Sequence, residues 1–156
     1  MKFSTREDIE APIADVFRAI SDFDGFERSA LRRGAEVSRT DALTAPGQGM
    51  MWKAQFPFRN RTRAADLELV EFDAPNSLAL FTTISGLEAI LVIDLVEMSR
   101  TRTRMHLSLD VKPKTISARL AVQSMRLAKA NLTKKFRKRA ADFAANIEQG
   151  YRTPGA

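Results

Sequence analysis

The segment from Thr115 to Gln149 contains neither glycine nor proline and is rich in Ala, Leu, Lys and Arg. Because these residues have high helix propensities, the segment predicts one long helix, with Gly150 as its stop. At 1.5 Å per residue such a helix would be about 50 Å long. One apolar stripe follows the helical period and is expected to face the rest of the fold: Ala118, Val122, Met125, Leu132, Phe136, Ala140, Phe143 and Ile147.

The beginning of the chain predicts one strand followed by two short helices. Residues 3–10 alternate between apolar and polar side chains, as a strand does. Pro12 suits the first position of a helix, and apolar residues then follow at helical spacing: Ile13, Val16, Phe17 and Ile20. We expect a second short helix to be capped by Asp24 and to end at Gly34.

The middle of the chain consists of short alternating runs separated by turn residues, which predicts consecutive antiparallel strands. Six strands fit this pattern: Ala35–Thr40, Gly49–Phe58, Thr62–Phe72, Ser77–Ser85, Glu88–Met98 and Thr103–Val111. Together with the first strand they give a seven-stranded antiparallel sheet and an α+β fold class. The 156 residues fit a single domain, 1–156, because a chain of this length can bury a sizeable core.

Positive charge is concentrated in one part of the chain. Between Arg100 and Arg139 there are thirteen Lys and Arg residues and one acid, whereas the remaining residues include twelve bases and eighteen acids. Such a block attracts polyanions, and the alternative is a solvated helix face. We expect at most weak contact with an anionic membrane, through Arg126–Arg139. Nucleic acid is disfavoured because the basic clusters lack interleaved aromatic side chains for stacking.

Cysteine is absent, which excludes disulfides and zinc–thiolate sites and is compatible with a reducing compartment. Charged residues occur at positions 2, 6, 7 and 8, where a signal peptide would need an apolar stretch. The longest apolar run, Ala89–Val96, contains Asp94 and is far shorter than the ~20 residues of a membrane-spanning helix. We therefore expect a cytoplasmic protein. The tail of the long helix is expected to protrude or to pair with a second copy as a homodimer.

Residues suited to catalysis are sparse. His106 is the single histidine and lies on the predicted outer face of the last strand, without a partner that would orient it as a general base. Strand alternation also places Asp94 and Asp110 outward, and a glycine-rich phosphate loop is missing. The sequence therefore predicts no catalytic residue, no metal site and no cofactor.

A resemblance to a known superfamily rests on the run Ile9-Glu10-Ala11-Pro12-Ile13-Ala14-Asp15-Val16-Phe17, followed by Ile20-Ser21-Asp22. This run resembles the transition from strand to helix in the helix-grip (SRPBCC) superfamily. That superfamily includes START lipid-transfer domains, polyketide cyclases and dehydratases, coenzyme Q-binding proteins and the birch pollen allergen group. The resemblance extends over nearly the whole chain and implies a curved sheet wrapped around a long C-terminal helix. Phe23 and Phe26 stand where many members carry a tryptophan, which leaves the subfamily open.

A curved sheet and a single straight helix cannot fill all the space between them, so this architecture predicts a cavity. Apolar cavities with a few polar groups are the usual small-molecule sites. Strand alternation and the helical stripe give the candidate ligand-binding residues: Trp52, Phe56, Leu67, Leu69, Leu80, Leu91, Ile93, Leu107, Leu109, Met125, Lys129 and Leu132. Each apolar member is also compatible with plain core packing. The nearly continuous apolar run Ala89–Val96 leaves open which face of that strand points inward.

Lys129 is the one polar candidate, since it lies within the apolar stripe of the long helix. One hypothesis is that it points inward and that its ammonium group contacts a carboxylate or polarised carbonyl of a mainly apolar ligand, because a desolvated charge needs a partner. The alternative is that its stem packs while its head reaches water.

Two functions fit these observations. The first is binding or carriage of a hydrophobic small molecule, such as a lipid, a quinone or a polyketide-like ring, between the sheet and the C-terminal helix. The second is an enzyme of the polyketide cyclase or dehydratase type that uses the same cavity. A C-terminal helix broken in two, or a solid interior, would contradict the carrier hypothesis.

Overall fold

The computed structural model describes residues 1–152, so the last four residues of the predicted domain lie outside the described residues. The elements, in chain order, are β1 (Lys2–Ile9), α1 (Ile13–Ile20), α2 (Phe23–Arg32), β2 (Glu36–Arg39), β3 (Met51–Phe58), β4 (Arg61–Asp73), β5 (Ser77–Ile84), β6 (Leu87–Ser99), β7 (Arg102–Pro113), α3 (Ile116–Leu127) and α4 (Lys129–Arg152). The predicted α+β class and the seven predicted strands are confirmed.

The seven strands form one antiparallel sheet in the order β1-β7-β6-β5-β4-β3-β2. Strands β2 to β7 therefore follow one another as a meander, and β1 pairs with β7, with Phe3 opposite Leu109. The register shifts between Leu69 and Glu71 in β4, and it shifts again near the end of β6. Such bulges bend and twist the strands that carry them, which contributes to the curvature of the sheet.

The prediction of one unbroken C-terminal helix is wrong at Ala128. This residue has φ −102° and ψ 15°, and its N–H donates to the carbonyl of Met125 at 3.0 Å, which closes a tighter turn between α3 and α4. Between Val122 and Ala140 no side chain is fully buried. Residues 126–131 are all exposed, and since helices in proteins are stabilised largely by packing, no core contact holds the helix to a single straight axis at Ala128. The predicted stop at Gly150 is also wrong, because α4 continues through it.

The two C-terminal helices contact different strands. α3 contacts β7, whereas the strand that α4 contacts most is β1. The rings of Phe3 and Phe136 lie 6.0 Å apart. Further along, the backbone N–H of Glu10 donates to the carboxylate of Glu148 at 2.9 Å. α4 therefore runs alongside β1 and covers the β1 edge of the sheet.

The core is built from α1, the middle of the sheet and the last turns of α4. The amphipathic pattern predicted for α1 is confirmed, since Val16, Phe17 and Ile20 are buried. The main buried cluster comprises Ile9, Ala11, Val16, Phe17, Ile20, Met50, Trp52, Leu69, Leu78, Ile93, Leu95, Met105, Ala144 and Ile147.

Helix α2 differs from the other helices in having no fully buried residue. Its N-terminal cap is Asp22 rather than the predicted Asp24, and the Asp22 carboxylate accepts a hydrogen bond from the N–H of Gly25 at 3.1 Å. The helix ends just before Gly34, whose φ of 91° belongs to the left-handed region that glycine adopts readily.

Thr103 supports the junction between sheet and helices. Its side chain is 0% exposed, and its Oγ1 donates to the carbonyl of Ala11 at 2.8 Å. Thr103→Val keeps the shape and removes the donor, so we expect the free energy of unfolding to fall by about 1–3 kcal/mol, as measured by urea denaturation. Thr62→Val, at an exposed position of β4, is the control and should change it by less than about 0.5 kcal/mol. Equal losses in both variants would contradict this role of Thr103.

Candidate ligand-binding cavity

A cavity of about 490 Å³ lies between the sheet and α2. The sheet contributes one wall through side chains of β3 to β6: Trp52, Ala54, Leu67, Leu69, Leu78, Leu80, Leu91 and Ile93. The opposite wall comes mainly from α2 and its flanks: Ile20, Phe23, Phe26, Glu27, Ala30, Ala35 and Val37. Among the described residues, α4 contributes only Phe143. The cavity therefore lies mainly between the sheet and α2, and the predicted cover by the C-terminal helix is limited to Phe143.

Half of the predicted ligand-binding residues line this cavity: Trp52, Leu67, Leu69, Leu80, Leu91 and Ile93. The question left open for β6 is thereby answered, since its inward face carries Leu91 and Ile93. Their contact with a ligand stays a prediction.

Three predicted strand residues are not among the lining residues. Leu107 and Leu109 lie on β7, which is paired with β1 at the far side of the sheet from β3 to β5 and is contacted by α1 and α3. Phe56 follows Trp52 and Ala54 along β3 toward the turn into β4, and it lies beyond the cavity wall. Alternation places each of these side chains on one face of a strand, whereas the position of the cavity along and across the sheet depends on where the helices lie.

The three predicted residues of the C-terminal helix also lie away from the cavity wall. Met125 and Leu132 are half-buried. Lys129 is exposed at the start of α4, so its predicted inward orientation is wrong. The predicted inward direction of Lys129 follows from continuing the apolar stripe along one unbroken helix. The turn at Ala128 interrupts that helix, so the stripe does not continue in register into α4. Exposure of Lys129 agrees with the alternative, in which its charged head reaches water.

The residues that sequence reasoning missed are mainly those of α2. Phe23, Phe26, Glu27 and Ala30 follow the spacing i, i+3, i+4, i+7 of a single helix face, so the signal is present in the sequence. This face borders the cavity instead of packing against other side chains, which explains why α2 has no fully buried residue.

Trp52 is held in place from several sides. Its Nε1–H donates to Oε1 of Glu27 at 2.7 Å, and its ring lies 5.3 Å from that of Phe23. The guanidinium of Arg39 lies 5.8 Å from the indole centroid, within the range of a cation–π contact. Within the described residues, Glu27 is the one ionisable side chain that lines the cavity. The surface of the cavity is thus almost entirely apolar, and Glu27, fixed by Trp52, is the one lining residue that carries a carboxylate.

The carboxylate of Asp41 holds the side chain of Arg39, which in turn contacts Trp52. Arg39 donates to its two oxygens at 2.7 and 2.6 Å, and the N–H groups of Met51 and Leu43 donate to it at 2.7 and 2.9 Å. These bonds, led by that from Arg39, lower the pKa of Asp41 well below its usual value of 3.8. Asp41 therefore fixes both Arg39 and the loop that leads from β2 into β3.

The lowered pKa of Asp41 gives a pH-dependent prediction. Ionised Asp41 stabilises the fold above pH ~4, and this contribution is lost as the pH falls through the folded-state pKa. We expect Asp41→Asn to be less stable than the wild type at neutral pH, and the difference between their free energies of unfolding to shrink below pH ~4. Urea denaturation across this range measures it, with Asp66→Asn, on an exposed position of β4, as the control. A difference that stays constant with pH would show that the charge of Asp41 is not responsible.

Phe26 and Phe143 lie where the cavity meets the outer surface. Phe26 is 44% exposed, and its ring lies 6.0 Å from that of Phe143. Both rings also line a polar groove on the outer surface, together with Arg28, Arg32 and Arg139. A molecule passing between Phe26 and Phe143 would therefore move directly from this groove into the apolar cavity.

The described residues 1–152 contain no group of three or more His, Asp and Glu side chains placed to hold a metal ion. In that part of the chain, no helix combines the length and the apolar character needed to cross a bilayer.

The curved seven-stranded sheet, the two short helices after β1 and the long C-terminal helix α4 define a helix-grip protein. Residues 1–148 match the model of the family described as "Polyketide cyclase / dehydrase and lipid transport", and the chain belongs to this family. No curated protein matches the sequence.

Solved structures with the same fold extend over nearly the whole chain. Ara h 8.0201 superposes with a TM-score of 0.61 at 14% identity, covering 96% of this chain and 95% of its own. A conserved protein from Geobacillus kaustophilus gives 0.61 at 15% identity, with 97% of each chain covered. The protein TTHA0849 from Thermus thermophilus gives 0.61 at 13% identity and full coverage of both chains, 100% and 100%. At these identities the likeness shows the fold alone.

Proposed function

We propose that this protein binds and carries a hydrophobic small molecule in the cavity beneath α2. The observation that carries this proposal is a cavity of about 490 Å³ whose lining, among the described residues, is apolar except for Glu27. Small-molecule sites commonly have volumes of roughly 300–1,000 Å³ and mainly apolar walls with few polar groups. The family description, which includes lipid transport, agrees with this function at a coarser level.

The C-terminal helix is broken at Ala128, which meets one of the two conditions stated above as contradicting carriage, and of its two parts only α4 borders the cavity, through Phe143. The hollow nevertheless exists, because α2 covers β3 to β6 without filling the space above them. Support for ligand binding therefore comes from α2 and the sheet, and α3 does not contribute to it.

Glu27 narrows the class of ligand. Its Oε1 accepts the hydrogen bond from Trp52, and its Oε2 has no hydrogen-bond partner among residues 1–152 and can accept one from a ligand. A ligand carboxylate would bring a second negative charge into apolar surroundings, which is unfavourable. The expected ligand has an apolar body and a hydroxyl or ammonium group that donates to Glu27.

Ligand binding in the cavity can be tested with a substitution whose larger side chain takes up part of the cavity volume. Leu80→Trp places a larger side chain in the wall, so we expect the affinity for the neutral fluorescent probe N-phenyl-1-naphthylamine to fall at least about tenfold, because overpacking a filled site costs ~1–3 kcal/mol. Fluorescence titration measures the affinity. Leu31→Trp, on the exposed side of α2, is the matched control and should bind as the wild type does.

Circular dichroism of Leu80→Trp must show the wild-type fold for this comparison, and Ala54→Leu provides a smaller change in the same wall. Unchanged probe affinity in both folded variants would place the probe elsewhere and contradict the proposal.

The role of Glu27 can be tested with dodecylamine, dodecanol and dodecanoic acid as competitors of the same chain length. We expect the wild type to bind the amine at least about tenfold more tightly than the acid, because a charge-assisted hydrogen bond is worth ~1.5–3 kcal/mol. Glu27→Gln should narrow this ratio to about threefold or less, since the charge is removed while an acceptor is kept. Displacement of the fluorescent probe measures each affinity. A wild type that prefers the acid would contradict the assigned ligand class while leaving ligand binding itself intact.

A cyclase- or dehydratase-type enzyme using the same cavity is the second candidate. The family description includes such enzymes, and Glu27 is a carboxylate held beside an apolar cavity, as a proton acceptor would be. Turnover of a poly-β-ketone by the wild type that Glu27→Gln abolishes would favour this candidate over carriage.

A further inference from the structure

Helix α3 carries an apolar face that points away from the sheet. Ile116, Leu120 and Leu127 are 80%, 60% and 93% exposed. Their spacing of four and seven residues places them on one side of the helix, and the buried Ala118 and Val122 lie on the opposite side. Three large aliphatic side chains exposed together form a patch of the kind that marks an interaction surface.

Positive charge is concentrated in the segment of the chain that contains this patch. From Lys112 to Arg139 there are ten Lys and Arg residues and no acid, and all ten are exposed. Within the described residues only Lys114 and Lys138 of this set form ion pairs, at 3.5 Å with Glu88 and at 2.9 Å with Asp142. The other eight cations are available to an anionic partner.

The start of α3 is anchored to the turn between β5 and β6. Oγ1 of Thr115 caps the helix by accepting the N–H of Ala118 at 3.1 Å, and the N–H of Lys114 donates to the carbonyl of Gly86 at 2.8 Å. A side chain at Gly86 would collide with Thr115, so the close approach requires glycine. The apolar face is therefore presented at a defined end of the sheet.

We propose that α3 docks this protein on the surface of an anionic lipid bilayer. Ile116, Leu120 and Leu127 enter the interface between headgroups and acyl chains, while Arg119 and Arg126 contact the headgroups beside them. Amphipathic helices at membrane surfaces combine these two features, and each base near an anionic surface adds attraction. This surface is distinct from the ligand cavity, whose lining contains no residue of α3.

The aliphatic side chains and the positive charge together favour a bilayer over two other partners, a nucleic acid and a second copy of this chain. A nucleic acid would use the cations and leave the three aliphatic side chains without a role. A second copy would bring the same excess of positive charge to the contact, which opposes pairing. An anionic bilayer satisfies both the cations and the aliphatic side chains.

Cosedimentation with vesicles tests the docking. We expect binding to phosphatidylcholine vesicles that contain phosphatidylglycerol, little binding to phosphatidylcholine alone, and a marked loss when salt is raised from ~0.1 to ~0.5 M. The variants Leu120→Gln/Leu127→Gln and Arg119→Glu/Arg126→Glu should each lower the partition coefficient at least about tenfold. Leu43→Gln/Met98→Gln, which changes exposed apolar residues elsewhere, should bind as the wild type does.

Insertion of the apolar face can be measured directly, because the chain has no cysteine and a single introduced one is labelled uniquely. The fluorescence emission of an environment-sensitive nitrobenzoxadiazole dye on Leu127→Cys should shift to the blue on anionic vesicles. The emission of the same dye on Thr101→Cys, at the β6–β7 turn, should not shift.

Absence of the shift at position 127 would overturn the proposal. A shift at position 127 that appears without vesicles and grows with protein concentration would overturn it in favour of self-association. Tight RNA binding that Leu120→Gln/Leu127→Gln leaves unchanged, together with weak vesicle binding, would overturn it in favour of nucleic acid.

Discussion

The contact between α4 and β1 determines where space is left in this fold. A helix with its side chains is about 10–12 Å wide, whereas seven strands spaced ~4.8 Å apart span about 30 Å. One helix can therefore cover only part of the sheet, and here it lies along the β1 edge, from Phe136 against Phe3 to Glu148 against Glu10. The strands β3 to β6 need another cover, and α2 supplies it.

The cover that α2 provides is incomplete, and this creates the cavity. Phe23 reaches Trp52 and Phe72, and Phe26 reaches Phe143, yet about 490 Å³ between them holds no side chain. An apolar hollow of this size forfeits the packing that protein cores normally have. A ligand that fills it restores those contacts and stabilises the folded state by mass action. The same feature thus weakens the empty protein and favours its complex with an apolar molecule.

The strands and their inward faces could be predicted from local pattern. The predicted strand Ser77–Ser85 and the observed β5, Ser77–Ile84, agree within one residue because alternation and turn residues act over short distances. The position of the cavity could not be predicted in this way. Leu91 and Leu109 have the same alternation and lie opposite each other on β6 and β7, but only Leu91 borders the cavity. What separates them is their position across the sheet: Leu91 lies opposite Leu80 of β5, whereas Leu109 lies opposite Phe3 of β1, whose ring contacts Phe136 of α4. That position depends on the pairing of β1 with β7, about 100 residues apart in the chain.

The wrong predictions of an unbroken C-terminal helix and of an inward Lys129 have a related cause. Alanine is the strongest helix former, so nothing in the composition around Ala128 signals a break. The break occurs where side chains lose contact with the core, and this is a property of the tertiary structure. The inward orientation expected for Lys129 depended on a continuous helix and failed with it. In α2, by contrast, the apolar spacing of Phe23, Phe26 and Ala30 is visible in the sequence, although its partner strands are not.

Methyl NMR spectroscopy of the protein titrated with N-phenyl-1-naphthylamine tests the central claim, that the ligand lies between α2 and β3 to β6, most directly. We expect the largest chemical-shift changes at the methyl groups of Leu67, Leu80 and Leu91. Changes centred on Met125 or Leu132, with Leu67 and Leu80 unaffected, would contradict this location and return the site to the C-terminal helix.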